Sequence, residues 1–273
     1  MPGQHFRYDG KRVLIVGGAT GMGAASARTA TDLGADVIVF DVADVDYPAK
    51  QIEKVDLRSQ ENVDAALERV SGPIDAIFSC AGVADGTDGV MLINFISQRH
   101  IIDRLIAEGK FAATASVAMI SSGAGMGWQS NLTQTLDFLA SPDWDTAAAW
   151  IDAHPGTDSY LFSKQVVNTY VAHAAFALAG RGIRINAVLP GPTDTPLAQA
   201  NADLWLGWGA PFRKELGLDP LSPEQVGDTL AFLCSEAASG INGITVTIDH
   251  GHTSAAVTGA YEDPGVRGLL GLT

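Results

Sequence analysis

The stretch "KRVLIVGGATGMGAASARTATDLGADVIVFD", residues 11–41, decides the fold class. Residues 13–16 form a wholly apolar run, which is typical of a parallel strand covered on both faces. A glycine-rich turn follows, and then an alanine-rich helix that we expect to end at Gly34. A second apolar run, residues 35–41, reads as the next strand. Strand, turn, helix and strand in this order constitute one β-α-β unit.

The same alternation continues along the rest of the chain. We predict further strands at 74–82, 115–125, 183–191 and 243–249, and helices at 61–70, 94–109, 159–180 and 222–235. Repeated strand-then-helix units favour one α/β domain over residues 1–273, a doubly wound parallel sheet (Rossmann fold) with helices on both faces. Two segments, 125–159 and 194–221, interrupt the alternation, and together they contain all five tryptophans: Trp128, Trp144, Trp150, Trp205 and Trp208.

Composition excludes several classes of partner. The formal net charge of −14 opposes binding to nucleic acid or to an anionic membrane, because both would repel the protein. Cys80 and Cys234 are too few for a disulfide framework or a zinc site, so we interpret them as core thiols in a reducing compartment. Neither a signal-peptide pattern nor a run long enough to span a membrane is present, and we expect a cytoplasmic protein.

The glycine turn predicts a dinucleotide site. Gly17, Gly21 and Gly23 lie between a strand and a helix, where small residues let the backbone approach a pyrophosphate and the helix N-terminus supplies amide donors. Asp41 ends the second strand, and a carboxylate there accepts the adenosine ribose hydroxyls and repels a 2′-phosphate. No Arg or Lys stands in the turn or directly after Asp41, which favours NAD over NADP. The alternative is a solvated loop aspartate.

In this setting the chain resembles a classical short-chain dehydrogenase/reductase over nearly its whole length. The spacing Gly17-x3-Gly21-x-Gly23 matches that family's cofactor motif, although Val16 stands where threonine is usual. "SCAG", residues 79–82, corresponds to its Asn-Asn-Ala-Gly strand end with both asparagines replaced. The resemblance implies NAD-binding residues at Gly17, Thr20, Gly21, Met22, Gly23, Asp41, Asp56, Leu57, Ala81, Gly82, Tyr160, Lys164, Pro190, Gly191, Thr193 and Thr195.

The resemblance also implies the catalytic residues Ser122, Tyr160, Lys164 and Asn94. A lysine ammonium one helical turn from a phenol, together with the positive charge of the oxidised nicotinamide, is expected to favour the phenolate, so that Tyr160 exchanges a proton with the substrate. Ser122 would hydrogen-bond the substrate oxygen, and Asn94 would hold a water. Structural alternatives stay open: Asn94 as a helix-kink residue, Ser122 as a turn residue, and the two threonines as helix caps.

The spacing of these residues points to a substrate class. Ser122 and Tyr160 are 38 residues apart, far more than the family usually has between these two residues. In this long spacing the chain is similar to the family's 3α-hydroxysteroid dehydrogenase/carbonyl reductase branch. We interpret residues 125–159 as a helical insert and 194–221 as a substrate lid, with Trp128, Trp205 and Trp208 as pocket candidates. The alternative places the tryptophans in a subunit interface or in the insert's own core.

These features predict an NAD-dependent oxidoreductase that interconverts a secondary alcohol and a ketone on a bulky apolar substrate such as a hydroxysteroid, an aryl ketone or an alicyclic ketone. The rival hypotheses are a non-catalytic NAD-binding sensor or scaffold, and an enzyme for a hydroxyacyl or polyol substrate. We expect no metal. We also expect a homodimer or homotetramer, with the C-terminal "GVRGLLGLT" across a subunit contact or simply mobile.

Overall fold

The computed structural model describes residues 3–272. Its centre is a seven-stranded sheet in which every strand runs parallel to its neighbours, in the order β3-β2-β1-β4-β5-β6-β7. The strands are β1 Arg12–Val16, β2 Asp36–Asp41, β3 Gln51–Lys54, β4 Ile74–Ser79, β5 Phe111–Ile120, β6 Ile183–Pro190 and β7 Thr245–Ile248. The chain first builds outward from β1 to β3 and then returns to β4 beside β1, so that the strand order reverses at β1 and β4. A crevice at the carboxyl ends of these two strands follows from that reversal.

The helices cover both faces of the sheet. They are α1 Gly21–Asp32, α2 Gln60–Arg69, α3 Ser97–Ala107, α4 Leu132–Leu139, α5 Trp144–Ala153, α6 Tyr160–Ala179, α7 Pro196–Ala200, α8 Ala202–Trp205, α9 Ala210–Leu216, α10 Pro223–Cys234, α11 His252–Thr258 and α12 Pro264–Leu269.

Two cores form because successive strand residues point to opposite faces. Leu14 and Val16 pack with residues of α2, α3 and α6 on one side, whereas Val13 and Ile15 pack with residues of α1 and α10 on the other. All four side chains are completely buried. The predicted doubly wound parallel sheet is therefore confirmed.

Some predicted elements have different bounds. Strand β3 was not predicted, because its half-exposed "QIEK" lies at the sheet edge and contains no apolar run. The helix predicted from residue 94 starts instead with a π-helical turn, Leu92–Ile96, that leads into α3. Strand β5 starts at Phe111, earlier than the apolar pattern indicated.

Residues 125–159 contain α4 and α5, and their aromatic side chains pack toward α3 and α6. Trp144 is buried with its ring edge-on to His100 at 5.5 Å. Trp150 stacks on Phe162 at 5.8 Å and meets Phe138 edge-on. Two of the five tryptophans therefore belong to the core of this segment, as the structural alternative proposed. Within residues 3–272 no helix combines the length and the apolar character that crossing a membrane requires.

Candidate active site

The glycine turn after β1 is packed so tightly that its glycines are obligatory. Gly17 has a φ of +83°, and a Cβ there would lie 2.4 Å from the Cα of Ala81, at the end of β4. A Cβ on Gly23 would lie 1.9 Å from the carbonyl oxygen of Gly17. The Tyr47 hydroxyl donates to the Gly18 carbonyl at 2.5 Å and braces the turn. The turn is thus fixed against β4, with the start of α1 directly behind it.

A cleft of about 370 Å³ lies in front of this turn. Eleven of the predicted cofactor residues line it: Gly17, Thr20, Gly21, Met22, Gly23, Asp41, Asp56, Leu57, Ala81, Gly82 and Thr195. The sequence analysis did not select its other lining residues: Val42, Val55, Arg58, Cys80, Val83, Thr87, Ile93, Pro196 and Leu197. Gly191 instead lines a small separate cavity of about 10 Å³. The glycine cradle, the start of α1 and the cleft together fit a dinucleotide.

The carboxylates of Asp41 and Asp56 accept hydrogen bonds from different kinds of groups. The oxygens of Asp41 accept one backbone N–H each, from Ala19 at 2.8 Å and Ala43 at 2.9 Å, which fixes the carboxylate at the end of β2. Asp56 instead accepts three bonds from Arg58, two of them from its guanidinium at 3.0 and 2.7 Å. These bonds lower the pKa of Asp56. Arg58 therefore balances the charge of Asp56, whereas the charge of Asp41 stays available to the cleft.

The strand end "SCAG" has a buried substitute for its missing asparagines. Gln98 of α3 is 3% exposed. Its Oε1 accepts from the Ser79 hydroxyl, and its Nε2 donates to the carbonyls of Ala81 at 2.9 Å and Ile93 at 2.8 Å. The side chain thus supports the backbone that faces the cleft. The position lies 19 residues from Ser79, and no local motif identified it.

Tyr160 starts α6, and its phenol faces Ser122, which lies two residues after the end of β5. The Ser122 hydroxyl accepts a bond from the Ala124 N–H at 3.2 Å and so caps the short 3₁₀ helix that follows β5. Burial raises the pKa of Tyr160, and the nearby Ser122 hydroxyl acts in the opposite direction. The expected effect of the lysine and nicotinamide charges on the phenol stays a prediction, and it has to act against this burial.

Lys164 lies one turn further along α6 and is 3% exposed. Its Nζ is 5.5 Å from the centroid of the Tyr160 ring and donates to the Ile120 carbonyl at 2.9 Å. Burial lowers the pKa of Lys164 to about 8. A Cβ added to Gly82 would lie 3.6 Å from this Nζ. The Lys164 ammonium therefore lies next to Gly82, a residue that lines the cleft.

Asn94 lies in the π-helical turn and is 1% exposed. Its Oδ1 accepts from the Val83 N–H at 2.8 Å, and its Nδ2 donates to the Val83 carbonyl and the Ser163 hydroxyl, both at 3.1 Å. The side chain therefore joins the loop after β4 to α6, and it does not bond the backbone of its own helix. Single π turns are frequent at functional sites.

Two aspartates that the sequence analysis passed over also join these elements. Asp85 accepts from the backbone N–H of Tyr160 at 2.6 Å, and Asp158 accepts from that of Met91 at 2.7 Å. Together with Asn94 they form three links between residues 83–94 and residues 158–163. The charge of Asp85 also acts to raise the pKa of Tyr160.

The remaining predicted residues have mixed positions. The Thr195 hydroxyl accepts from the Ala198 N–H at 3.1 Å and caps α7, as the structural alternative proposed, while Thr193 donates to the Gly191 carbonyl at 2.9 Å. Pro190 is the last residue of β6. Trp205 packs on the ring of Tyr160 with 4.9 Å between centroids.

Two other tryptophans were pocket candidates. Trp208 meets His252 edge-on at 6.5 Å, and Trp128 is half-buried in a short 3₁₀ helix, Trp128–Asn131. Across residues 3–272, no group of three or more His, Cys, Asp or Glu side chains is placed to hold a metal ion.

Fold and site define a protein of the Rossmann class with a serine, a tyrosine and a lysine gathered beside its dinucleotide cleft. Comparison with known proteins identifies the family. Residues 11–133 match the family model described as short chain dehydrogenase, and residues 146–253 match the one described as enoyl-(acyl carrier protein) reductase. The chain belongs to the short-chain dehydrogenase/reductase family and is an oxidoreductase.

Similar proteins span almost the whole chain. Cis-4-hydroxycyclohexanecarboxylate dehydrogenase of Sinomonas cyclohexanicum is 29% identical, covering 89% of this chain and 97% of its own. The 3-alpha-hydroxysteroid dehydrogenase/carbonyl reductase of Comamonas testosteroni is 28% identical, with 88% and 95% covered. The structure of the 3-alpha-hydroxysteroid dehydrogenase from Pseudomonas sp. B-0831, complexed with NADH, superimposes with a TM-score of 0.72 at 26% identity, covering 93% of this chain and 100% of that one.

Proposed function

We propose that the protein is an NAD-dependent dehydrogenase/reductase that interconverts a secondary alcohol and a ketone on a bulky, apolar, ring-containing substrate. The observation that carries the proposal is the position of Lys164. It is buried on α6 one turn from Tyr160, and only 3.6 Å separates its Nζ from where a Cβ on the cleft residue Gly82 would lie. The residues that would transfer the proton are therefore next to the cleft that would hold the dinucleotide.

The cleft supports a nicotinamide dinucleotide. Residues 17–23 would hold the pyrophosphate, and Asp41, whose charge no described cation neutralises at hydrogen-bond distance, would accept the adenosine ribose hydroxyls. When bound, the nicotinamide supplies hydride transfer. The Pseudomonas enzyme above was crystallised with NADH, and the charge of Asp41 favours NAD over NADP in this chain.

The chain itself would supply the proton transfer. Tyr160 would take the proton from the alcohol oxygen, with Ser122 donating a hydrogen bond to that oxygen. The Lys164 ammonium and a cationic nicotinamide would favour the phenolate by charge attraction, which opposes the rise in pKa that burial causes. Asn94 would fix the loop after β4 against α6, and that loop provides Val83 to the cleft.

The substrate class is supported by the surroundings of Tyr160. The Trp205 ring provides an aromatic surface next to the Tyr160 phenol, and such a surface suits a ring-containing apolar substrate. The two relatives above are named for a hydroxycyclohexane acid and for a 3α-hydroxysteroid. A homodimer or homotetramer and a cytoplasmic location stay predictions.

Tyr160→Phe tests the function. We expect NADH formation from alicyclic and steroidal secondary alcohols to fall by at least about a thousandfold, because the proton acceptor is lost, while NAD affinity changes less than about twofold. Tyr170→Phe is the control, since it removes a hydroxyl of the same helix from a ring that packs on Phe95 in the core. Retained turnover in Tyr160→Phe would refute the proposed mechanism.

A further inference from the structure

The C-terminal segment, residues 250–270, folds back on its own chain. It contains α11 and α12, and it contacts two other parts of the molecule. One is residues 194–221, the proposed lid, and the other is the start of residues 125–159. The sequence analysis gave this segment no role at the active site.

The contact with the lid is centred on His252. This residue is 4% exposed and stacks on Phe212 of α9, with 4.7 Å between ring centroids and 27° between planes. Gly209, which precedes α9, has a φ of +63°, and a Cβ there would lie 2.7 Å from His252. Tyr261 closes the cluster edge-on to Phe212 at 5.1 Å. The lid therefore packs closely on α11.

His252 is in turn held by Asp263. Its Nε2 lies 2.8 Å from Asp263 Oδ2, while Asp263 Oδ1 accepts from the Val266 N–H at 3.1 Å and caps α12. One carboxylate thus joins α11, on which the lid packs, to the first turn of α12.

The far end of α12 contacts the turn after Ser122. Gly127 has a φ of +68°, and a Cβ there would lie 2.0 Å from the carbonyl oxygen of Leu269. On α11, the Thr253 hydroxyl lies 3.6 Å from Met126 Sδ. The C-terminal segment therefore connects the lid with the residues that follow Ser122.

We propose that residues 250–270 form a third wall of the substrate pocket, in which His252 and Asp263 are positioning residues that fix the lid relative to Tyr160. This proposal rests on the proposed function. The same lid carries Trp205, whose ring packs on Tyr160 at 4.9 Å. A bulky substrate would lie between that tryptophan and the Ser122 turn, and the C-terminal segment contacts the lid at Phe212 and the turn at Gly127. A small alcohol does not need this wall, and none of residues 250–270 lines the dinucleotide cleft.

Two variants disturb the two ends of α12, and two others serve for comparison. Asp263→Ala removes the partner of His252, and Gly127→Ala places a methyl group against Leu269. Asp263→Asn keeps a capping oxygen and a hydrogen bond to His252, and should have the same KM for a 3-hydroxysteroid as the unmodified protein. Thr258→Ala, at the exposed end of α11, is the matched control. Denaturant unfolding establishes that each variant is folded.

The decisive readout compares substrates of different size. In Asp263→Ala and Gly127→Ala we expect KM for a 3-hydroxysteroid to rise at least about tenfold, with kcat/KM for 2-propanol and the Kd of NAD within about twofold of the unmodified protein. An unchanged steroid KM would overturn the proposal. An equal loss on both alcohols would overturn it too, because it would indicate general destabilisation.

A second readout needs no turnover. Amide hydrogen exchange across residues 202–216 should be faster in Asp263→Ala and Gly127→Ala than in Thr258→Ala. If the unmodified protein oxidised no alcohol, the proposed function would fail, and this measurement would still decide the role of the segment. Equal exchange in all three variants would refute the positioning role.

Discussion

Lys164 is an ionisable residue with almost no access to water, and this has a consequence for stability. Burial lowers its pKa from 10.5 to about 8. Between these two pH values the unfolded chain holds a proton that the folded chain has released, so the contribution of this group to stability rises with pH. Below pH 8 both states are protonated, and the full cost of burying the charge remains.

Lys164→Met removes this contribution and so predicts a measurable difference. Between pH 7 and pH 10 the unmodified protein should gain about 2–3 kcal/mol of unfolding free energy relative to Lys164→Met, measured by urea unfolding. The comparison cancels the buried tyrosines and cysteines, which are common to both proteins. Parallel pH curves for the two proteins would mean that the folded state does not lower the lysine pKa.

Asp41 is the residue on which the cofactor preference depends. Asp41→Asn removes the negative charge while keeping an acceptor for one of the two backbone N–H groups. We expect the ratio of kcat/KM for NAD over NADP to fall by about tenfold or more, because the repulsion of a 2′-phosphate is lost. Asp36→Asn is the control, since Asp36 stands exposed at the opposite end of the same strand. A ratio unaffected by Asp41→Asn would show that this carboxylate does not contact the ribose.

At the scale of elements, Gln98 couples α3 to the end of β4. Gln98→Ala would leave the Ser79 hydroxyl and the Ala81 carbonyl without this buried partner, whereas the Ile93 carbonyl keeps the Ser97 hydroxyl at 3.5 Å. We expect a loss of about 2–4 kcal/mol of unfolding free energy, together with weaker NAD binding because Ala81 lines the cleft. Gln129→Ala, at an exposed position, should change neither quantity. If NAD affinity did not change in Gln98→Ala, Gln98 would stabilise the fold without affecting the cofactor cleft.

The elements also show what the sequence could predict and what it could not. The apolar runs and the glycine turn report local geometry, and they predicted the parallel sheet and the dinucleotide cleft. Gln98 replaces the missing asparagines from another element. The position of α12 depends on contacts with Gly127, more than a hundred residues earlier in the chain. No local pattern contains such compensating or distant contacts, and they emerge only when the chain is folded.

At the scale of the whole molecule, the net charge of −14 acts on every anion that approaches the cleft. NADP carries a phosphate that NAD lacks, so long-range repulsion penalises NADP more. Salt screens this repulsion, because the Debye length falls from about 30 Å at 0.01 M to about 8 Å at 0.15 M ionic strength. The local repulsion by Asp41 acts at short range and is screened less.

The two sources of discrimination can therefore be separated by salt. We expect the ratio of the Kd of NADP to that of NAD, measured by calorimetry, to fall by several-fold between 0.01 and 0.15 M salt. In Asp41→Asn the ratio should be smaller at every salt concentration but should fall with the same slope, because the net charge changes only from −14 to −13. A slope that disappears in Asp41→Asn would instead assign the whole discrimination to that one carboxylate, and the acidic surface would then have no part in cofactor choice.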